Sequence, residues 1–338
     1  MTAEILSTHT PALFDAAVKR AVELLRAGEV VALPTETVYG LAANALDEKA
    51  VAKIFQIKNR PANNPIIVHI ASVEMAKRSV AHWPVGADQL AKAFWPGPLT
   101  LVLPRAKGIP GIVTAGGTTV GVRCPGHPFI QAVIRECGFP LAAPSANLSS
   151  RVSPTNVGHV RQQLGGKICL IVDGGQSQVG IESTVLDLTV SPPQVLRPGM
   201  IHAESLAAVV GKVRGQRADV RSKGSQALPS PGLLKKHYAP KAKLLILSWC
   251  NDADLKSQIT NRKSQIASSH IIAHTHIPAA ENFARVSVIP HVAEAFARAI
   301  YAELHRCDAA GADLIVIEAP PESPEWSGIA DRLRRASA

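Results

Sequence analysis

A predicted helix and a predicted buried strand are joined by the stretch Lys58-Asn59-Arg60-Pro61-Ala62-Asn63-Asn64-Pro65-Ile66-Ile67-Val68-His69-Ile70. Apolar residues recur at helical spacing just before it, so we expect a helix whose end carries two cations, Lys58 and Arg60. Pro61 and Pro65 stop the helix and favour an extended or turn backbone. The apolar run that follows predicts a buried strand with a histidine near its end.

The two cations have two interpretations. On a proline-stiffened loop they fit a multiply charged oxyanion such as a triphosphate. They also fit a solvated helix C-terminus, where the helix dipole favours positive charge. On this stretch alone the helix-end interpretation is favoured, and both remain open.

The bulk composition limits the class of protein. With 338 residues the chain has room for two domains, because single hydrophobic cores stop growing at roughly 250 residues. Hydrophobic residues make up 46% of the sequence, so the chain is not disordered. Its five cysteines are scattered, which favours free thiols in a reducing compartment. Neither a signal peptide nor an apolar run of about 18 residues is present, so we expect a cytoplasmic protein without a membrane span.

The net charge of +10 favours polyanionic partners such as nucleotides, pyrophosphate or RNA. Aromatic residues make up only 4% of the sequence, which argues against a base-stacking platform for single strands. Much of the excess charge lies between residues 212 and 243, where one acidic residue, Asp219, stands among these cations: Lys212, Arg214, Arg217, Arg221, Lys223, Lys235, Lys236, Lys241 and Lys243.

The patterns divide the chain into three regions. Alternating helix and strand patterns run through residues 13–210, which we predict to be the first α/β domain. Residues 211–240 predict a basic linker with one ordered-looking part, residues 231–240. Residues 241–338 again alternate strands with helices, which predicts a small, parallel, Rossmann-like domain. No G-x-G-x-x-G follows its first strand, so dinucleotide binding there is unsupported.

Polar loops follow several predicted strands, where α/β folds usually bind ligands. Thr37 lies in a hydroxyl-rich loop, which a threonine turn capping the next helix explains equally well. Arg123 closes a strand, where it can fork onto a carboxylate or phosphate or form a surface ion pair. Ser145, Asn147 and Ser153 lie in one small-residue loop, which also fits a turn before a helix that starts at the next proline.

Other features narrow the chemistry. Arg197 ends another strand, whereas His69 at a strand end is more often structural than ligand-binding. No P-loop, G-x-S-x-G elbow or H-E-x-x-H motif occurs, and the histidines show no metal-ligand spacing. The residues therefore indicate an α/β protein that binds an anionic small molecule in a cleft, and they leave the reaction undetermined.

Several motifs occur in a fixed order: Pro34-Thr-Glu-Thr-Val-Tyr-Gly-Leu41, Lys58-Asn-Arg-Pro61 with Asn64-Pro65, Pro144-Ser-Ala-Asn147, Ser153-Pro-Thr155, Glu182-Ser-Thr-Val185 and Leu196-Arg-Pro-Gly199. Together they resemble the motifs of the YrdC-like threonylcarbamoyl-AMP synthases. Later segments fit the long, two-domain form of this family: His237-Tyr-Ala-Pro240 and Asp331-Arg332-Leu333 with Arg335. The resemblance covers nearly the whole chain, and the ordered set is far more specific than any one motif.

The resemblance implies a twisted mixed sheet with an open cleft in residues 13–210, the catalytic domain, and a lid function for the linker. It implies ATP, L-threonine and bicarbonate or CO2 as substrates, with threonylcarbamoyl-adenylate and pyrophosphate as products. Mg2+ is the implied cofactor, held mainly by the ATP phosphates, without a metal site of the protein itself. A partner transferase would then modify the adenosine beside the anticodon of ANN-decoding tRNAs, and a direct tRNA contact is a further expectation.

The resemblance also implies roles for individual residues. Lys58 and Arg60 are expected to be catalytic. The expected contacts of L-threonine are Thr37, His69, Arg123, the backbone of Ala143 and Ser183. The expected contacts of the nucleotide are Lys58, Arg60, Asn64, Thr119, Ser145, Asn147, Ser153, Arg197 and Tyr238.

These roles are physically consistent. An anionic carbamate has to approach an anionic triphosphate, so cations and Mg2+ must cancel charge at the site. Arg123 can pair the threonine carboxylate through two hydrogen bonds. Because Tyr238 lies outside the first domain, we expect the linker to fold back as a lid over the unstable adenylate. Two residues depart from the family pattern: Ser150 stands where glycine is expected, and Val152 where proline is common.

Two other functions stay open from the sequence. The net charge and the basic linker fit an RNA-binding or ribosome-maturation module. A carbamoyl-phosphate-using transferase shares related domains, but such proteins carry zinc-finger and acylphosphatase modules, and nothing in this sequence resembles them.

Overall fold

The computed structural model describes residues 2–215, 228–234, 236–262 and 265–338. The chain forms two compact units, of which the first contains Met1–Ser149 and Ser153–Leu233 and the second contains Ser150–Val152 and Leu234–Ala338. Part of the predicted linker therefore belongs to the first unit. The linker cations Arg217, Arg221, Lys223 and Lys235 lie outside the described residues.

A mixed sheet forms the centre of the first unit. Its strands, in the part that the structure describes, are β1 Glu4–Ser7, β2 Val31–Leu33, β3 Gly40–Asn44, β4 Val68–His69, β5 Leu99–Pro104, β6 Thr119–Arg123, β7 Leu141–Ala142, β8 Leu170–Asp173, β9 Thr184–Asp187 and β10 Gln194–Arg197. They lie in the order β1-β8-β2-β3-β7-β4-β6-β5-β9-β10. Parallel pairs such as β4–β6 alternate with antiparallel pairs such as β5–β6.

The helices of the first unit begin where the sequence offers capping residues. Its described α-helices are α1 Pro11–Arg26, α2 Glu48–Lys58, α3 Val73–Ser79, α4 Val85–Phe94, α5 Pro128–Cys137, α6 Val157–Leu164 and α7 Ala203–Val210, with a 3₁₀ helix at Gly111–Thr114. Side chains that accept a backbone N–H at the helix start are those of Thr10, Asp47, Ser72, His127 and Asn156, whereas α4 and α7 have no side-chain cap. Such caps satisfy N–H groups that have no partner inside the helix.

The end of α2 explains why the chain turns after Lys58. Asn59 adopts a left-handed backbone conformation with φ 49° and ψ 47°. The N–H of Arg60 donates to the carbonyl of Phe55 at 2.9 Å. The N–H of Asn59 donates to the carbonyl of Gln56 at 3.3 Å, which completes a Schellman-type helix end. The strand beyond this turn, β4, has only two residues and is shorter than the predicted strand.

The main hydrophobic core packs the helices against the mixed sheet. Fully buried members include Leu33, Leu41, Ile54, Leu101 and Phe129, each with 0% exposure. Burying one such side chain contributes roughly 1.5–3 kcal/mol, so the core holds the strands and the polar loops between them firmly.

The second unit contains a smaller, parallel sheet. Its described strands are β11 Lys243–Leu247, β12 Ser269–Ala273, β13 Arg285–Val288 and β14 Leu314–Glu318, in the order β11-β14-β12-β13. All three pairings are parallel. The helices are α8 Asp252–Asn261, α9 Ala293–Ala309 and α10 Ser327–Ala336, with 3₁₀ helices at Ala280–Asn282 and Pro324–Trp326. The predicted α/β fold class, with a mixed sheet and a small Rossmann-like domain, is confirmed.

Three residues from the middle of the chain, Ser150–Val152, belong to the second unit. The N–H of Ala239 donates to the carbonyl of Ser150 at 2.9 Å, and Arg151 forms a parallel bridge with Ala239. Ser150 has φ of 64°, a left-handed conformation that glycine adopts without steric cost. This backbone accounts for the glycine that the family pattern has at this position.

Two general features complete the description. Within the described ranges, no helix is long and apolar enough to cross a membrane. All five cysteines are free thiols, so no disulfide contributes to the stability of the fold.

Replacing Ser150 by glycine is expected to raise the free energy of unfolding by about 0.5–1 kcal/mol. The left-handed conformation costs a residue with a Cβ about 1–2 kcal/mol, and glycine avoids this cost. Part of the gain is lost again, because glycine has more conformational entropy in the unfolded chain. Urea denaturation measures the change. The control is Ser149→Gly, because Ser149 has no positive φ and its replacement should lower the midpoint. A lower midpoint for Ser150→Gly would contradict the expectation.

Candidate active site

Arg123 lies at the end of β6, beside His69 on the parallel strand β4. It is only 3% exposed, and its Nε donates to the carbonyl of Gly97 at 3.2 Å. Its Nη2 donates to Glu36 Oε1 at 2.6 Å and to Thr37 Oγ1 at 3.0 Å. Its Nη1 makes no hydrogen bond with the described residues. The arginine is thus a buried, oriented group with one nitrogen left for a ligand, and the surface ion-pair interpretation is wrong.

His69 is a buried, neutral histidine. Its side chain is 3% exposed, and Nδ1 has no hydrogen-bond partner among the described residues. Burial, assisted by the neighbouring positive charge of Arg123, holds the pKa of His69 well below 6.5. The ring therefore offers a neutral nitrogen to a ligand near neutral pH.

Ala143 is also placed beside β4, but its backbone is partly engaged. Its N–H donates to the carbonyl of Ile67 at 3.1 Å. The expected backbone contact of Ala143 with threonine can therefore come only from its carbonyl oxygen.

Ser183 and Arg197 form a second buried pair. Arg197 donates from Nη2 to Ser183 Oγ at 3.1 Å and from Nε to the Ser183 carbonyl at 3.1 Å. Ser183 Oγ also lies 2.8 Å from Thr100 Oγ1. The Nη1 of Arg197 donates to the carbonyl of Pro231 at 3.3 Å. A residue predicted to bind threonine is therefore in direct contact with one predicted to bind the nucleotide.

Lys58 is buried, with 1% exposure, so the solvated helix-end interpretation does not hold for it. Its Nζ donates to the carbonyls of Ser145 and Asn147, both at 2.5 Å. Burial, and secondarily the charge of Arg60, hold the pKa of Lys58 well below 10.5. The Ser145 hydroxyl makes no hydrogen bond with the described residues, so the loop that Lys58 anchors keeps a polar group for a ligand.

Arg60 is held by the turn that follows it. Its Nε donates to the carbonyl of Asn64 at 2.9 Å, and its Nη2 donates to Asn64 Oδ1 at 2.9 Å and to the carbonyl of Pro65 at 2.5 Å. Asn64 is fully buried, and its Nδ2 has no partner among the described residues. The turn therefore presents a positioned guanidinium and an amide donor.

Three other predicted residues have different surroundings. Ser153 is fully buried and donates from Oγ to Glu182 Oε1 at 2.6 Å, so its hydroxyl faces a carboxylate. Asn147 donates from Nδ2 to the carbonyl of Leu148 at 2.8 Å. Tyr238 belongs to the second unit, where its ring stacks on Tyr301 at a centroid distance of 6.0 Å.

A cavity of about 220 Å³ lies in the first unit beside these residues. Thr119 lines it together with Thr100, and the segment 228–231 forms one of its walls. The N–H of Leu228 donates to the carbonyl of Asn63 at 3.0 Å, which fixes this segment to the turn after α2. The remaining walls combine apolar side chains such as Ile67 with the threonines Thr114 and Thr118.

The turn before β5 connects the two buried arginine sites. The carbonyl of Gly97 accepts from Arg123, and its N–H donates to the carbonyl of Cys124 at 2.8 Å. The carbonyl of the next residue, Pro98, accepts from the N–H of Thr184 at 3.0 Å. One short turn thus sets the positions of the end of β6 and the start of β9.

The sequence interpretation assigned no role to four residues that the structure brings into the site. Glu36 and Glu182 lie inside motifs that were recognised, so the motifs contained the signal. Gly97 and Thr100 lie in a turn and a strand, and no pattern distinguishes them there.

A divalent cation fits this site only in one way. Among the described residues, no three His, Cys, Asp or Glu side chains are grouped so that they could hold a metal ion. The charged groups that the site presents include Lys58, Arg60, Arg123 and Arg197, which favour an anion. A metal that is held by the phosphates of a ligand is compatible with this donor set.

Two family models together match almost the whole chain. Residues 23–199 match the Sua5, YciO and YrdC model, which is described as telomere recombination, and residues 201–338 match the model of the threonylcarbamoyl-AMP synthase C-terminal domain. A threonylcarbamoyl-AMP synthase from Pyrococcus abyssi is 41% identical over 95% of this chain and 94% of its own length. One from Bacillus subtilis is 40% identical over 98% of this chain and 94% of its own length.

Solved structures of related proteins support the same family. Sua5 from P. abyssi in complex with L-threonine superposes with a TM-score of 0.90 at 38% identity, covering all of this chain and 98% of the other. A P. abyssi Sua5 variant with adjacent histidine and tyrosine replaced by alanine also gives 0.90 at 38% identity, covering 99% and 96%. The chain therefore belongs to the threonylcarbamoyl-AMP synthase family, in the two-domain form that carries the family's C-terminal domain.

Replacing Gly97 by alanine is expected to destabilise the fold by about 1–3 kcal/mol, the usual cost of overpacking. A Cβ at Gly97 would lie 2.5 Å from the carbonyl oxygen of Phe94, which forces the turn to move. Thermal unfolding measures the loss. Gly108→Ala is the matched control, because a Cβ there meets nothing within 4 Å. Equal melting temperatures for the two variants would contradict the expected role of this turn.

His69 is expected to weaken the fold in acid. Because its pKa is lowered in the folded state, the unfolded chain binds the proton more readily, so stability falls as pH decreases below about 6.5. One such group costs about 1.4 kcal/mol per pH unit. Urea denaturation between pH 7.5 and 5 should show a shallower loss for His69→Gln than for the wild type. Identical slopes would contradict a buried, neutral His69.

Proposed function

We propose that this chain synthesises L-threonylcarbamoyl-adenylate and pyrophosphate from ATP, L-threonine and bicarbonate or CO2. The observation that carries the proposal is the contact between Ser183 and Arg197, because it joins a threonine subsite to a nucleotide subsite. Full-length relatives with the name of this activity, and a related structure that contains L-threonine, support it.

At the threonine end, the Nη1 of Arg123 binds the substrate carboxylate while Glu36 and Thr37 hold the guanidinium in place. The neutral His69 ring and the carbonyl of Ala143 supply the remaining polar contacts. Because the site is buried, these hydrogen bonds are made in a low dielectric and orient the substrate strongly.

At the nucleotide end, the cavity beside Thr119 accommodates the nucleoside, since its walls combine apolar side chains with threonine hydroxyls. Arg60 and Arg197 face the phosphates together with the amide of Asn64 and the hydroxyl of Ser145. Lys58 acts from behind this loop, by fixing the carbonyls of Ser145 and Asn147. Mg2+ bound to the phosphates would neutralise further negative charge.

The chemical step needs little beyond positioning and charge neutralisation. Threonine binds as its ammonium form and loses one proton to solvent; the unprotonated amine then takes up CO2 and releases a second proton, which gives a carbamate. A carbamate oxygen then forms a bond to the α-phosphorus as the bond from that phosphorus to the bridging oxygen breaks, and pyrophosphate leaves. Holding two anions together in this way is the source of the rate, since well-oriented reactants react with effective molarities on the order of 10⁵–10⁸ M.

The second unit and the linker have supporting roles in this proposal. Tyr238 contributes to nucleotide binding in this proposal. The altered histidine and tyrosine of the P. abyssi variant draw attention to His237 and Tyr238, the one adjacent His-Tyr pair of this sequence. The product passes to a separate transferase that modifies tRNA. The free thiols favour a reducing cytoplasm as the location.

Pyrophosphate release is expected only when ATP, L-threonine and bicarbonate are all present. Product analysis with labelled threonine and bicarbonate should show both labels in one adenylate. Arg123→Lys should raise the KM for threonine roughly tenfold or more and change the KM for ATP little, because one charged hydrogen-bonding site is lost. The exposed Lys92→Arg is the matched control. Pyrophosphate release that does not depend on threonine would refute the proposal.

The RNA-binding alternative has its own measurement. A binding module would hold RNA tightly, with a steep salt dependence, and that binding would survive Arg60→Ala and Arg197→Ala. For the synthase, the same two variants should lose pyrophosphate release.

A further inference from the structure

We propose that Glu36 recognises the α-ammonium group of L-threonine, and so makes the site selective for an amino acid. This inference deepens the proposed function and rests on it, because that function places the threonine carboxylate on Arg123. It gives a substrate contact to a residue that the sequence interpretation left without a role.

The two oxygens of the Glu36 carboxylate have different surroundings. Oε1 accepts from Arg123 Nη2 at 2.6 Å, in an ion pair whose side chains are 4% and 12% exposed. Oε2 is buried and has no hydrogen-bond partner among the described residues. An anionic oxygen that is buried without a donor is costly, and such orphans call for an explanation. A donor that arrives with the ligand provides one.

The orphaned oxygen belongs to the same carboxylate that Arg123 holds. Arg123 Nη1 is the arginine nitrogen without a hydrogen bond to the described residues, and Nη2 of the same guanidinium holds Glu36. In an α-amino acid the ammonium is on the carbon next to the carboxylate. A carboxylate on Nη1 therefore brings the ammonium close to Glu36, and the four charges alternate in sign around a small ring.

The other groups near Arg123 are less suited to an ammonium. Thr37 Oγ1 already contacts Arg123 and Thr35, and the free Nδ1 of His69 is neutral. Only Glu36 adds a negative charge.

A purely positioning role is the competing explanation. In that case Glu36 would hold Arg123 in place and would touch no substrate. The two roles predict different effects of removing the carboxylate charge. If Glu36 binds the ammonium group, only ligands that carry this group should bind more weakly. If Glu36 only supports Arg123, all carboxylate ligands should bind more weakly.

The test combines a change in the protein with a change in the ligand. The variant is Glu36→Gln, whose amide oxygen can still accept from Arg123. The ligands are L-threonine and (R)-3-hydroxybutanoate, which is threonine without its amino group. Dissociation constants are measured on the full chain without ATP, so that no turnover occurs, by ligand-observed NMR at millimolar ligand concentration so that weak binding is detected. Glu23→Gln, the same substitution on an exposed part of α1, is the control.

We expect Glu36→Gln to weaken threonine binding roughly tenfold or more, the usual effect of losing a charged hydrogen bond, and to leave the analogue within about twofold. Glu36→Asp, which keeps the charge, should recover part of the threonine affinity. Equal weakening of both ligands, or no change with either, would overturn the inference. If the wild-type protein does not bind threonine at all, the proposed function itself fails, which is a separate outcome.

Discussion

A buried ammonium group is the constraint on which the candidate site depends. Lys58 ends α2, and its Nζ reaches two carbonyls of the loop after β7. Removing such a cation from water is costly unless its hydrogen bonds are made, so the helix end and the loop have to stay in register. Because the adjoining turn also carries Arg60, the position of that cation follows from this single anchor.

The surroundings of Arg123 contain the opposite arrangement, an internal ion pair. Arg123 and Glu36 neutralise each other, and the pair is fixed further by Gly97 and Thr37. A zwitterion can join such a pair without changing the net charge, whereas a polyanion needs surplus positive charge. The surroundings of Arg123 thus differ in charge balance from the turn that carries Lys58 and Arg60.

Much of this arrangement could be predicted from the sequence, and the rest could not, for physical reasons. Proline positions, capping residues and hydrophobic periodicity predicted most of the helices and strands along the chain, because these effects are local, but not the order of the strands in the sheet. The sequence motifs also contained most of the polar residues. What local patterns could not show is which polar group faces which: Ser153 turned out to contact Glu182, and the Ala143 N–H to contact Ile67. Such pairings arise between segments far apart in the chain.

Ser150–Val152 belong to the second unit, although the residues on either side of them belong to the first. Both units are therefore built from separate stretches of the sequence. The carbonyl of Ser150 accepts from the N–H of Ala239, so the left-handed backbone at residue 150 is held by a hydrogen bond to a segment nearly ninety residues further along the chain.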